Sequence, residues 1–115
     1  MHLSNIEPKQ LKMIKVEVSS LTGAALDWAV AKCKGDNPDY ALECNFRPSC
    51  NGEQGIQIIQ TNRICIDPDS APSKMWTARI WGLCNEYGPT PLIAAMRCFV
   101  VSKQGGEVEV PASLV

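Results

Sequence analysis

The segment TPLIAAMRCFVVSKQGGEVEVP, residues 90–111, predicts one helix and one strand with distinct ends. Its opening Thr-Pro pair is a strong helix start, because threonine caps the first turn and proline fits the first helical position. The apolar run that follows reaches about Lys103, and the Gly-Gly pair after it ends the helix. The EVEV sequence at residues 107–110 alternates charged and apolar side chains, which predicts a half-buried strand.

The beginning of the chain shows the same two patterns in reverse order. The alternating MIKVEV at residues 13–18 predicts a half-buried strand. The alanine-rich residues 22–34, which are followed by Gly35, predict a second apolar helix. Residues 1–12 are polar and have no clear period, so we expect a disordered extension there and a single domain over residues 13–115.

The middle of the chain predicts short strands between loops. We expect these strands at residues 43–47, 56–60 (IQIIQ), 64–66 (ICI) and 74–81 (KMWTARIW), with a hairpin turn at residues 61–63. Without the short strand at 43–47, the predicted order is β-α-β-β-β-α-β. Such an order indicates an α+β fold, in which two apolar helices pack on a small antiparallel or mixed sheet.

Composition and charge exclude several functional classes. A length of 115 residues fits one domain, and no apolar run is long enough to span a bilayer, so we expect no membrane partner. The formal net charge is -1, whereas proteins that bind nucleic acid through phosphate contacts usually carry a basic excess. Nucleic acid is therefore a disfavoured partner, although a small anionic ligand needs only one or two cations and a few backbone N–H groups.

The residues of common catalytic and metal sites are missing from the sequence. The chain has 6 cysteines but no C-x-x-C pair, and His2 is its single histidine. We therefore expect reduced and mostly buried thiols, with Cys33, Cys65 and Cys98 inside apolar runs, and no metal, cofactor or disulfide. Because the G-x-S-x-G, P-loop and H-E-x-x-H motifs are also missing, we expect a protein that is not an enzyme.

Two groups of residues are candidates for holding an anionic ligand. Strand alternation places Arg79 between Thr77 and Trp81 on one face, where a guanidinium binds phosphate and an indole stacks on a base. Arg47 and Ser49 add a second cation and a hydroxyl on a glycine-rich loop. The alternatives are a solvent-facing sheet surface for the first group and a plain loop for the second.

The two predicted helices carry very few polar residues. Asp27 and Arg97 are isolated charges in apolar helices, and we expect them to pair with each other or to be exposed, with a ligand role as the less favoured alternative. A helix that is apolar on nearly all sides is usually buried on most of them. This burial favours contacts between the subunits of a homo-oligomer. Alternatively, the small alanine side chains simply tolerate exposure.

Three stretches of the chain resemble the NinX-like family of small proteins of tailed phages. They are LTGAALDWAVAK (residues 21–32), the RPS…QGIQII loop (residues 47–59) and the segment WTA…TPLIAAMRCFVVSKQGGEVEVP (residues 76–111). The resemblance starts at Met13, which agrees with an extension before it. After the Pro-Ser pair the family tends to carry an aromatic residue and a Gly-Gly, whereas this chain has CNGEQG at residues 50–55. A site formed by that loop would therefore differ here.

The resemblance implies an accessory phage protein of the host cytoplasm, and it brings no catalytic residues. Our first hypothesis is a non-catalytic binding protein that sequesters a small nucleotide-type signal of host immunity. The second is a protein–protein inhibitor or adaptor that acts on a host or phage protein. A deep pocket at a subunit interface would favour the first, and a flat apolar patch on a monomer would favour the second.

Overall fold

The computed structural model describes residues 12–69 and 74–115 and has an α+β fold, as predicted. The helices are α1 (Gly23–Cys33), α2 (Pro38–Glu43), α3 (Gly52–Asn62) and α4 (Pro91–Gln104), and the strands are β1 (Met13–Glu17), β2 (Cys65–Pro68), β3 (Trp76–Ile80), β4 (Cys84–Gly88) and β5 (Glu107–Pro111). Short 3-10 turns follow β1 and β5. No helix in the described ranges is long and apolar enough to cross a bilayer.

The strands form two separate antiparallel sheets rather than the one sheet that the sequence predicted. Strands β1 and β5 pair with each other, with Met13 opposite Pro111 and Glu17 opposite Glu107. The second sheet has the order β2-β3-β4. The expected disorder of residues 1–12 lies outside the described residues, except that the Lys12 carbonyl accepts a hydrogen bond from the Ala112 N–H at 2.9 Å.

Helix α4 lies at the centre of the molecule. It begins where predicted, since the Thr90 side chain accepts a hydrogen bond from the Ile93 N–H at 3.1 Å. One side packs on β3 and β4, while α1 and α3 cover other sides, so every residue of 94–100 is buried. Residues 25–31 of α1 are buried in the same way. The apolar surface that favoured an oligomer in the sequence analysis is therefore covered within one chain.

In the middle of the chain, the strands predicted at 64–66 and 74–81 are present as β2 and β3, but those predicted at 43–47 and 56–60 are not. Residues 56–60 belong to α3, and the expected hairpin at residues 61–63 is the end of that helix, where Arg63 has a left-handed backbone (φ 54°). The expected strand at 43–47 is also wrong, because α2 ends at Glu43 and irregular backbone follows. Strand β4 was not predicted.

Helix α3 begins at an asparagine cap, which explains its start. The Asn51 side chain accepts a hydrogen bond from the Gln54 N–H at 3.1 Å and thereby satisfies one of the free donors of the first turn. Gly55 and Ile58, three residues apart, are the buried positions of this helix, while Ile56 is exposed. The isoleucines therefore follow a helical rather than an alternating period.

Candidate functional site

A buried carboxylate lies in the first half of helix α1. Asp27, on α1, accepts a hydrogen bond from the Ser49 N–H at 2.8 Å through Oδ1 and one from the Ser49 hydroxyl at 3.1 Å through Oδ2. Both residues are buried, with exposed fractions of 2% and 5%. The turn that holds Ser49 is closed by bonds from the N–H groups of Cys50 and Asn51 to the Arg47 carbonyl, at 3.1 and 2.7 Å. Two hydrogen bonds to the Asp27 carboxyl group, one from the Ser49 N–H and one from its hydroxyl, thus hold helix α1 and this turn together.

This carboxylate opens onto a cleft of about 430 Å³, which we call the Asp27 cleft. Its lining residues come from α1, α2, the loop before α3 and the start of α4: Gly23, Ala24, Asp27, Leu42, Arg47, Ser49, Cys50 and Ile93. The cleft is within the range of small-molecule sites. Each of the three stretches that carry the family resemblance contributes lining residues to it.

Burial and the neighbouring groups have opposite effects on the pKa of Asp27. Burial raises the pKa of the Asp27 carboxyl above its ordinary value, because a charged form is costly away from water. The two Ser49 hydrogen bonds and the nearby positive charge of Arg47 act in the opposite direction and lower this pKa. The cleft therefore combines a buried hydrogen-bond acceptor with an exposed cation at its rim.

The first turn of α1 supplies further hydrogen-bond donors to this cleft. The N-cap residue Thr22 has extended backbone, but among the described residues its side chain accepts no capping hydrogen bond. Gly23 and Ala24, the first two helical residues, line the cleft. The unpaired N–H groups of a helix start and the positive end of its dipole both favour an anion. Together with Arg47, they can bind a phosphate or carboxylate, while Asp27 accepts bonds from hydroxyl or N–H groups of the same ligand.

Arg79 and its predicted neighbours lie elsewhere. On the more exposed face of the β2-β3-β4 sheet, Arg79 Nη1 lies 3.2 Å from Asp67 Oδ2, and both side chains are partly exposed. Thr77 shares the alternation of Arg79 on β3. Trp81 follows the last residue of β3, in the turn to β4, and is 85% exposed, so strand alternation does not fix its direction. These three residues line neither the Asp27 cleft nor the second cleft described below.

The predicted pairing of Asp27 with Arg97 is wrong, and neither residue is exposed. Arg97 Nε donates a hydrogen bond to the Leu21 carbonyl at 3.0 Å, and its Nη1 donates one to the Tyr87 carbonyl at 2.8 Å. Burial lowers the pKa of Arg97, while the nearby Glu86 carboxylate raises it. Burial likewise raises the pKa of Glu86, and the Arg97 charge lowers it. The cation thus joins α4 to the start of α1 and to β4.

Asp27 is the site residue that sequence reasoning missed. It was interpreted as a structural ion-pair partner, although a lone acid inside an apolar helix is also typical of a buried site. The second part of the sequence signal was Ser49, which follows Pro48 in a loop. Nothing in the sequence predicts that this loop packs against α1. The pairing depends on long-range packing.

The cysteines are free thiols in the described ranges, with Cys98 buried and Cys33 and Cys84 half-buried. Cys44, Cys50 and Cys65 are exposed, so the prediction of mostly buried thiols is wrong. Cys65 is exposed because the apolar ICI segment is only partly covered as β2. The Sγ atoms of Cys84 and Cys98 lie 3.1 Å apart. Within the described residues, no group of three or more His, Cys, Asp or Glu side chains is arranged to hold a metal ion.

Comparison with known families gives one match that covers most of the chain. The model of the family described as "Bacteriophage P22, NinX" matches residues 17–103. The match runs from before α1 to the last turn of α4, and so includes every residue that lines the Asp27 cleft. No curated protein matches the chain.

Proposed function

Because the chain belongs to the NinX family of bacteriophage proteins, we propose that it is a non-catalytic accessory protein that sequesters a small nucleotide-type ligand. The ligand we propose is a host immune signal, so the protein would act in the host cytoplasm as a counter-defence factor. The observation that carries this proposal is the buried Asp27–Ser49 pair beside Arg47 in a cleft of about 430 Å³.

The cleft matches the two chemical parts of a nucleotide. Arg47 and the first turn of α1 offer a cation and N–H donors to a phosphate. Asp27 offers a buried carboxylate to the hydroxyl groups of a ribose or the N–H groups of a base. Such a carboxylate costs stability through burial, and a bound ligand with donor groups would recover part of that cost.

Binding without catalysis is favoured by the chemistry of the same residues. A serine hydroxyl becomes a nucleophile when an adjacent base takes its proton, and this base is usually histidine. Ser49 instead donates to Asp27, and the single histidine of the sequence is His2. We therefore propose that the cleft holds its ligand unchanged, and that no cofactor takes part.

Isothermal titration calorimetry with cyclic mono- and dinucleotides and ADP-ribose derivatives tests the proposal. Arg47→Ala is expected to weaken binding by about 1.5–3 kcal/mol, because it removes a charge-assisted hydrogen bond. Arg79→Ala is the matched control, since it removes an arginine outside the cleft. If Arg79→Ala weakens binding and Arg47→Ala does not, the ligand lies instead on the Thr77–Trp81 surface that the sequence analysis predicted. If no nucleotide binds more tightly than about 100 µM, the sequestration proposal is wrong.

A protein–protein inhibitor or adaptor is the second candidate function. The observation that favours it is the β3–β4 turn, where Trp81 and Leu83 are 85% and 69% exposed. Exposed aromatic residues of this kind are frequent anchors in protein interfaces. Phage plating on hosts that carry a nucleotide-signalling defence separates the two functions. Loss of counter-defence in Trp81→Ser with full activity in Arg47→Ala would support the adaptor.

A further inference from the structure

A second cleft of about 570 Å³ lies at the opposite end of α1, and we call it the Lys103 cleft. Helix α1 spans Gly23–Cys33, which at about 1.5 Å per residue separates the two clefts by roughly 15 Å. The lining residues come from the ends of α1 and α4, from one side of α3 and from Phe46: Cys33, Lys34, Phe46, Gln54, Gln57, Ile58, Thr61, Asn62, Phe99 and Lys103. It shares no lining residue with the Asp27 cleft.

The charged groups of this cleft are all cationic. Its lining contains Lys34 and Lys103 but no carboxylate. Lys34 Nζ is partly neutralised by Asp36 Oδ2 at 3.3 Å. In the part of the chain that the structure describes, no carboxylate oxygen lies within 4.0 Å of Lys103 Nζ. Burial raises the pKa of the Cys33 thiol to about 11, so this group adds no negative charge near neutral pH.

Two aromatic rings hold the ammonium groups at the cleft. Lys34 Nζ lies 4.9 Å from the centroid of the Phe46 ring, and Lys103 Nζ lies 5.8 Å from that of Phe99. These cation–π contacts limit the positions that the long side chains can adopt. They also place apolar ring surface next to each charge.

The side of α3 that faces the cleft adds neutral polar groups. Gln54, Gln57, Ile58 and Thr61 occupy positions i, i+3, i+4 and i+7 and therefore share one face of the helix. Among the described residues, the side chains of Gln57 and Thr61 make no hydrogen bond. They can thus donate to and accept from a bound molecule.

We infer that the Lys103 cleft binds a small organic anion with a flat apolar body, such as an aromatic carboxylate, sulfonate or phosphate ester. The ammonium groups of Lys34 and Lys103 would contact the anionic group, and the Phe46 and Phe99 rings would contact the flat body. The inference does not depend on the proposed function, because the two clefts share no residue.

The lysines also have a structural role that the test must separate from binding. Lys103 lies in the last turn of α4, where a positive charge stabilises the helix through its dipole. Stability and anion selectivity therefore need separate readouts. A pair of probes that differ only in their anionic group provides the second readout.

The probes are 1-anilinonaphthalene-8-sulfonate and N-phenyl-1-naphthylamine, which has the same ring system without the sulfonate. We expect fluorescence titration to show one sulfonate probe per chain, and Lys103→Gln to weaken it about tenfold through loss of a charge-assisted contact. The same substitution should leave the affinity of the neutral probe unchanged. Lys15→Gln, which removes an exposed lysine of β1, is the matched control and should change neither.

Three results would overturn the inference. The first is a wild-type protein that does not bind the sulfonate probe. The second is an equal effect of Lys103→Gln and Lys15→Gln on the affinity for that probe. The third is an equal loss of affinity for both probes in Lys103→Gln. Arg47→Ala is expected to leave the sulfonate probe bound as in the wild type. The inference can therefore succeed where the nucleotide proposal fails, and the reverse also holds.

Discussion

At the scale of single residues, the two buried charges of the helices are separate structural features. Asp27 is satisfied by a serine on a loop, whereas Arg97 is satisfied by two backbone carbonyls. The sequence predicted that these two charges pair with each other or are exposed, and both alternatives are wrong, because each buried charge has its own partners. It could not identify the partners, because Leu21 and Tyr87 contribute carbonyl groups that every residue possesses.

Arg97→Ala is expected to lower the free energy of unfolding by about 2–4 kcal/mol. The substitution leaves the buried Leu21 carbonyl and the partly buried Tyr87 carbonyl without their donor, and the loss of a buried bond costs about 1–3 kcal/mol. Urea unfolding followed by circular dichroism measures the change. Arg79→Ala is the control, since an exposed ion pair contributes at most about 1 kcal/mol. Equal effects of the two substitutions would contradict the assigned role of Arg97.

Asp27→Asn should alter how stability depends on pH. Because burial raises the pKa of Asp27 in the folded protein, folding favours its protonated form. This contribution is fully present below the pKa of the unfolded chain and is lost as the pH rises through the higher folded pKa. The asparagine amide can still accept the Ser49 N–H bond through Oδ1, and its Nδ2 can donate to the Ser49 hydroxyl, without the charge.

The measurement is urea unfolding of wild type and Asp27→Asn between about pH 3 and pH 7. We expect the stability of the wild type relative to the variant to fall as the pH rises. Glu86 also has a raised pKa, but it is present in both proteins, so their difference isolates Asp27. If the free energies of unfolding of the two proteins depend on pH in the same way, the charged form of Asp27 is not destabilised in the folded state.

At the scale of elements, the helices and strands near the two ends of the described chain were predictable, as were β2 and β3, whereas α2, α3 and β4 were not. α1, α4, β1 and β5 have local signals: caps, terminating glycines and strict alternation. The IQIIQ segment has isoleucines that favour strands, and its helical period became visible only with the Asn51 cap and the buried Gly55. Strand β4 has little β-forming sequence and depends on pairing with β3. The Asp27 cleft was half predictable, since Arg47 and Ser49 were identified but Asp27 was not.

Gly55→Ala tests the close approach of α3 to α4. A Cβ atom at residue 55 would lie 2.6 Å from Leu92 Cδ2 and 2.9 Å from the Pro48 carbonyl oxygen. Leu92 can move, but the Pro48 carbonyl is backbone beside the Asp27 cleft. We therefore expect a loss of about 1–3 kcal/mol in the free energy of unfolding. Gly52→Ala, in open space at the first position of the same helix, should be neutral or slightly stabilising, and a stable Gly55→Ala would contradict the packing.

At the scale of the whole molecule, one chain buries its apolar helices but leaves the β3–β4 turn uncovered. Trp81 and Leu83 are the most exposed large apolar side chains of the described residues. The homo-oligomer predicted from the helices stays a prediction, but its expected contact surface moves to this turn. Such a contact would remove apolar area from water, which is the main driving force of association.

Light scattering at micromolar concentration tests this assembly. We expect a dimer for the wild type and a monomer after the combined changes Trp81→Ser and Leu83→Ser. Tyr40→Ser, which alters an exposed aromatic residue on α2, should leave the dimer intact. A wild-type mass equal to that of one chain would contradict the prediction.

The pairing of β1 with β5 also has a consequence for biosynthesis. The partner of Glu17 is Glu107, so β1 leaves the ribosome well before the strand that completes its sheet. Synthesis at about 5–20 residues per second leaves β1 unpaired for roughly 5–20 s. During this interval its free backbone groups are available to other nascent chains on the same messenger RNA. The charges of Lys15 and Glu17 on this strand would disfavour such contacts until the sheet closes.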